Sequence, residues 1–224
     1  MVDVVIFGVS DTAQLAFYYL NNDSDFNVVA FCVDQAYLPE DRSFMGLPAM
    51  TLEQVTRQYP ASDYQFLVPM TAADMNRLRA NIYHRIKKLG YQFISYVSSH
   101  ATVLTDNIGE NCFILENNTL QPYCTIEDNV MLWSGNHIGH HSRVRAHAFI
   151  SSHVVVSGRC EIGEYSYIGV NSTLRDGLKI AEGSFIGMGS SVTKHTEAWN
   201  AYAGTPAKNL RKKSTDINIY HELD

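Results

Sequence analysis

The chain has 224 residues, 46% of them hydrophobic and 18% charged, with a net charge of −6. That composition reads as an ordinary soluble protein of one large or two small domains, and the acidic balance argues against a nucleic-acid surface, which needs a basic patch. No run approaches ~18 apolar residues, so no membrane span is expected; the opening residues carry Asp3 and no basic leader region, which points to a first strand and to a cytoplasmic protein.

Taken in order, residues 2–7 form an apolar run rich in Val and Ile, followed by Gly8 and a helical pattern through Leu20. Residues 27–33 read as a second buried strand ending at Asp34, 51–59 as a helix, 64–68 as a third strand, 72–89 as a long helix and 91–96 as a further strand. Strands alternating with helices predict a small α/β domain with a parallel, Rossmann-like sheet over residues 1–98. Ligands of such sheets bind beyond the carboxyl ends of the strands, which here carry Gly8, Val9, Ser10 and Asp11, and Asp34. Loop amides and a helix N-terminus there suit a phosphate, although Asp11 also suits a plain N-cap.

From Ile108 onward every sixth residue is Ile, Leu or Val, fifteen in succession, ending at Val192. The positions four later are mostly small, including Cys112, Ser142, Ala148, Cys160, Ser166 and Ser172. A short strand that turns one aliphatic inward, followed by a corner, gives three strands per triangular coil of 18 residues, so fifteen repeats make five coils. The expected fold over 99–197 is a left-handed parallel β-helix, with residues 198–224 as a C-terminal tail. Cys112, Cys124 and Cys160 fall on the small inward position and read as buried core residues, not a disulfide or metal set.

Five of the nine histidines lie between 137 and 153. None falls on an inward position: His140 sits two after an inward Ile, and His141, His147 and His153 sit three after an inward residue, so all are expected to project outward at corners. A neutral imidazole is the side chain best suited to accept a proton near pH 7. Stepping by 18 puts Gly158 above His140, leaving room for a substrate over it; His153 and His141 are the runners-up.

After Val192 comes A-Y-A-G-T-P-A-K-N-L-R-K-K, which resembles the G-x-P-A-K closing segment of hexapeptide acyltransferases. With the βαβ half, the five coils and the H-I-G-H-H-S corner, the chain resembles the NeuD-type sugar acyltransferases. That resemblance implies transfer of an acetyl or other acyl group from acyl-CoA, the co-substrate, to the amine of a nucleotide-linked amino sugar. It implies a homotrimer and no metal. It implies nucleotide-sugar contacts at Gly8, Val9, Ser10, Asp11 and Asp34, a catalytic histidine at His140, and CoA contacts near Phe149, Val170 and Met188; Val170 and Met188 share one corner column with Ser152 beneath. Lys208 and Arg211 are candidates for the CoA phosphates. The chain departs from the family in having G-V-S-D in place of a glycine-rich loop, and Gly139 and His141 where acids flank the family's histidine; Asn136, or an acid of another subunit, is then expected to orient His140. Other readings are a sugar O-acetyltransferase, a non-catalytic binding solenoid, and a zinc hydratase of the γ-carbonic anhydrase kind, whose H-x4-H spacing no two histidines here possess.

Overall fold

The structure, a computed structural model, describes residues 2–219. The N-terminal unit begins with β1 (Val2–Phe7), α1 (Asp11–Asn22) and β2 (Phe26–Val33). A short hairpin of β3 (Ser43–Phe44) and β4 (Leu47–Thr51) follows, then α2 (Leu52–Gln58), β5 (Tyr64–Leu67), α3 (Arg77–Lys88) and β6 (Gln92–Phe93). The sheet order is β3-β4-β2-β1-β5-β6, and only the β3–β4 pair is antiparallel. The runs of Val, Ile and Phe in β1 and β2 are buried because helices cover both faces, as parallel sheets require. Thr51 accepts from the Gln54 amide while Gln54 reaches back to the Thr51 amide, and this capping box fixes the start of α2.

The solenoid has three faces. One stacks Thr102–Val103, Thr119–Leu120, His137–Ile138, Val155–Val156, Thr173–Leu174 and Ser191–Val192; a second stacks Thr125–Ile126, Arg143–Val144, Glu161–Ile162 and Lys179–Ile180. The third runs from Tyr96–Val97 through Phe113–Ile114, Met131–Leu132, Phe149–Ile150 and Tyr167–Ile168 to Phe185–Ile186. Partners are 18 residues apart, as in Met131↔Phe149 and Arg143↔Glu161, so the coils stack as a left-handed β-helix. Fourteen of the fifteen six-spaced aliphatics are 0–3% exposed and make one continuous core with the small column. Ile108 is only partly buried: it bridges Ile126 above it, but its face has no strand below.

Three elements differ from the sequence reading. The helix predicted from Ala72 starts at Arg77, because Asp74, Met75 and Asn76 adopt left-handed conformations with φ of 50° to 66°. The strand predicted over 91–96 splits: Gln92–Phe93 closes the N-terminal sheet, and Tyr96–Val97 is already the first strand of the solenoid. The tail carries an antiparallel hairpin, Asn200–Gly204 with Ala207–Lys213, that extends the third face; residues 220–224 of that tail lie outside the described residues.

The outward residues of the third face form an aromatic ladder that the N-terminal unit covers. Phe149 stacks on Tyr167 at 5.6 Å, and Tyr167 on Phe185 at 5.2 Å. Tyr96, Phe113, Met131 and Phe149 share one buried cluster with α1, β1 and β2. Asp23, at the end of α1, accepts from the Tyr96 hydroxyl at 2.6 Å and from the Ser98 hydroxyl and Ser99 amide at 3.0 Å, tying the helix to the junction. Those bonds, led by Ser99 and Tyr96, hold its carboxyl well below the usual carboxylate range.

Candidate active site

Each corner of the solenoid is a two-residue turn whose second residue is left-handed: Asn129, His141, His147, His153, Tyr165 and Asn171 have φ of 57° to 64°, and Gly135, Gly177 and Gly183 share the position. Asn and His are among the non-glycine residues most tolerant of that region. The turn therefore gives His141, His147 and His153 a structural reason to be there. His140 is the first residue of its turn, is absent from the left-handed set, and has no such reason.

The His140 ring is exposed and held on both edges. Its Nδ1 lies 3.0 Å from Nδ1 of His141, and the His141 ring stacks against Tyr123 at 4.8 Å. Of two unprotonated or two protonated Nδ1 atoms no bond forms, so one ring donates; with His140 donating, its Nε2 carries a free lone pair. The space above Gly158 is filled by this ring itself and not by room for a substrate: a Cβ at Gly158 would stand 2.7 Å from His140 Nε2. The glycine is a seat for the histidine. Asn136 does not orient it, since its amide is buried in the core, donating to the Trp133 carbonyl and accepting from the Val154 amide. The group within hydrogen-bond reach of its Nδ1 is His141, which sequence reasoning held only as a runner-up base.

The other histidines are placed differently. His153 is exposed on another corner, its ring lying over Gly135. His147, expected to project outward at its corner, points away from the solenoid axis but is 5% exposed: it is covered by α3, stacks on Tyr165 at 4.9 Å and contacts the Asn129 amide through Nδ1 at 2.8 Å. Burial, with smaller contributions from His84 and Arg79, pushes its imidazole down to about 4.

Val170 and Met188 are 39% and 80% exposed and share a corner with Ser152 and His153. Phe149 does not join them: it is 4% exposed beneath the N-terminal unit, with the Arg79 guanidinium 5.9 Å from its ring, so no ligand on that corner reaches it. Lys208 and Arg211 are exposed on the tail hairpin. Within one chain, His140 and the Val170–Met188 column stand on different corners of the triangle.

In the N-terminal sheet the chain runs outward from β1 to β2 and β4, then returns to β5 on the other side, so the β1–α1 and β5–α3 connections diverge. A pocket of about 420 Å³ lies between them, lined by Ser10, Asp11, Thr12, Met70 and Thr71. That is the switch point where open α/β sheets bind ligands. No side chain caps α1, which leaves its first amides for a ligand or water, and the Asp11 carboxylate suits hydroxyl or amine donors. Gly8 has φ 122°, a conformation that favours glycine. Val9 is half-buried. Asp34 stands apart from that pocket, and Arg85 donates to both its oxygens at 2.7 and 3.1 Å.

No family model matches the sequence. The acetyltransferase domain of PglB from Neisseria gonorrhoeae superposes with a TM-score of 0.79, 21% identity, and coverage of 93% of this chain and 99% of that one. PerB from Caulobacter crescentus, solved with CoA and GDP-perosamine, superposes with a TM-score of 0.79, 19% identity, and coverage of 92% and 96%. The fold is that of the hexapeptide-repeat sugar acetyltransferases. The likeness runs through both halves of this acetyltransferase fold. In sequence, chloramphenicol acetyltransferase from Klebsiella aerogenes is 38% identical over 63 residues, 28% of this chain. The chain spans about a third of the length of that relative, 30%. Among the described residues no cluster of His, Cys, Asp and Glu is arranged to hold a metal ion, and no helix is long and apolar enough to cross a membrane.

Proposed function

We propose that the chain transfers an acyl group, acetyl in the first instance, from acyl-CoA to the amine of a nucleotide-linked amino sugar. The observation that carries this reading is His140: a corner histidine that the backbone does not demand, seated on Gly158 and paired through Nδ1 with His141, which leaves Nε2 to accept a proton. The amine attacks the thioester carbonyl, and His140 Nε2 takes the proton the nitrogen loses. The tetrahedral oxyanion is held by a backbone N–H. Its collapse expels the CoA thiolate, which recovers the proton from the imidazolium. The acceptor's nucleotide sits in the Ser10–Thr71 pocket and extends beyond it to Asp34.

The CoA column at Val170 and Met188 meets His140 only when two chains stand side by side. A homotrimer, in which each chain gives one corner to each neighbour, completes three clefts at once, and holding both substrates in one cleft supplies the proximity term. Lys208 meets the CoA phosphates. Reduced cytoplasm is the setting that supplies CoA thioesters, and the four cysteines are free and buried. PerB's bound CoA and GDP-perosamine support the substrate class.

The test is thiol release from acetyl-CoA with a panel of nucleotide-linked amino sugars and their hydroxyl counterparts. Release with the amines alone is expected. Release with the hydroxyl compounds alone makes the chain an O-acyltransferase, and none with either class contradicts the proposal.

A further inference from the structure

A second site is built on the corner that carries His147. The stripe of α3 formed by Arg77, His84, Arg85 and Lys88 faces that corner across an open groove of about 590 Å³. Among the described residues no Asp or Glu lines the groove, although the chain as a whole carries a net charge of −6. Its opposite wall is aromatic: Tyr165 stacks on His147 at 4.9 Å, and Trp199 lies 6.0 Å beyond Tyr165 at an interplanar angle of 30°. Gly183 makes that wall possible, since a Cβ there would stand 2.3 Å from the Trp199 ring, so the indole lies flat along the corner column. The Arg77 guanidinium is 5.8 Å from the centre of the Trp199 ring.

We infer that this groove binds a nucleoside diphosphate, its base against Tyr165 and Trp199 and its phosphates on the basic stripe of α3. Flat aromatic rings offer stacking worth about 1–3 kcal/mol per base. Arg77, Arg85 and Lys88 are cations on one helix face, Arg85 eight and Lys88 eleven residues after Arg77, and match a chain of phosphates. Arg77 and Arg85 are held by Asp74 and Asp34, exposed pairs that exchange readily for a phosphate partner. Among the described residues, Lys88 and His84 carry no ion pair. The site stands on a different corner from His140 and from the Val170–Met188 column, and meets the proposed acceptor site only through Asp34, which Arg85 holds. The ligand is either a free nucleotide or the nucleotide end of CoA, which share this chemistry.

Trp199 and Trp133 are the two tryptophans of the chain, so a Trp133→Phe background makes Trp199 the sole reporter. ADP titrated into that protein is expected to quench its fluorescence with saturation, and Lys88→Glu to weaken the effect about tenfold or more. Inorganic pyrophosphate should displace ADP, because it takes the basic stripe without stacking. Displacement by CoA at matching concentrations identifies CoA as the source; binding that CoA leaves untouched identifies a free nucleotide. The inference fails if ADP does not quench saturably, or if Lys88→Glu binds it as tightly. It also fails if Asp11→Ala abolishes the signal, which would place the ADP in the switch-point pocket. A Tyr165→Leu variant guards against a misfolded Lys88 variant: it should lose ADP affinity and keep the affinity for pyrophosphate.

Discussion

His140 and His141 are neighbours in sequence that answer to different demands. The backbone asks only that residue 141 tolerate a φ of 57°, whereas residue 140 is free to be anything the chemistry wants. His140→Ala should therefore leave the melting temperature nearly unchanged and lower kcat roughly 10²- to 10⁴-fold, the usual worth of a positioned base. His141→Gly should keep or slightly raise stability, because glycine adopts the left-handed region without strain, yet it should still lower kcat, because the ring that fixes His140 Nδ1 is gone; an unchanged kcat would leave His140 oriented by something else. His153→Ala should retain most of its rate. On the acceptor side, Asp11→Ala and Asp34→Ala should raise the acceptor KM with the acyl-CoA KM unchanged, and steady-state kinetics with each substrate varied in turn decides it. Which of these solenoid side chains leave the core was legible in sequence, because the six-residue register fixes it. The His140–His141 bond was not, since it depends on two ring orientations, and neither was the use of Gly158 as a seat for the His140 ring.

At the scale of elements, the weight falls on α3. Arg79 is fully buried and donates to the carbonyls of Met70, Thr71, Asn129, His147 and Ala148 and to Asn76 Oδ1. One side chain thus pins the β5–α3 connection, which lines the acceptor pocket, to two coils of the solenoid. Arg79→Leu leaves those acceptors unsatisfied and should cost about 3–5 kcal/mol, read from chemical denaturation, because buried groups that lose their partners carry their full desolvation penalty. A loss below about 1 kcal/mol would show that water replaces the guanidinium. Arg79 was unreadable in the sequence: a helical pattern gives no sign that an arginine is buried when its acceptors lie as far off as Ala148. The repeats, by contrast, were legible through to Val192 because each coil repeats one physical requirement, an aliphatic inward every six residues. Ile108 broke the rule for want of a strand beneath it, and Tyr96–Val97 escaped it because that first strand precedes the periodic run.

For the whole molecule, His147 and Asp23 both contribute to the acid limb of stability. Burial leaves His147 with a folded-state value of about 4 against about 6.5 for a free imidazole. The folded state then binds fewer protons than the unfolded chain between those values. Its contribution is complete above about pH 6.5, is lost as the pH falls, and is flat below about 4. Asp23 acts lower: its carboxyl is held below the usual range, so its contribution is present above about pH 4 and is lost as the pH falls further. Melting temperature against pH should decline in both windows, and His147→Asn, which keeps a residue tolerant of the left-handed turn, should flatten only the upper one. The assembly is tested by subunit mixing. His140→Ala and Met188→Arg chains, each expected to be inactive alone, place their lesions on different corners. Co-expressed at equal levels in a trimer whose clefts pair one corner with the other corner of a neighbour, about a quarter of the sites combine an intact His140 with an intact Met188. The account predicts recovery to about that fraction of the unmodified rate in a thiol-release assay; mixed assemblies as inactive as either parent would contradict it, because the two corners would then not share a cleft.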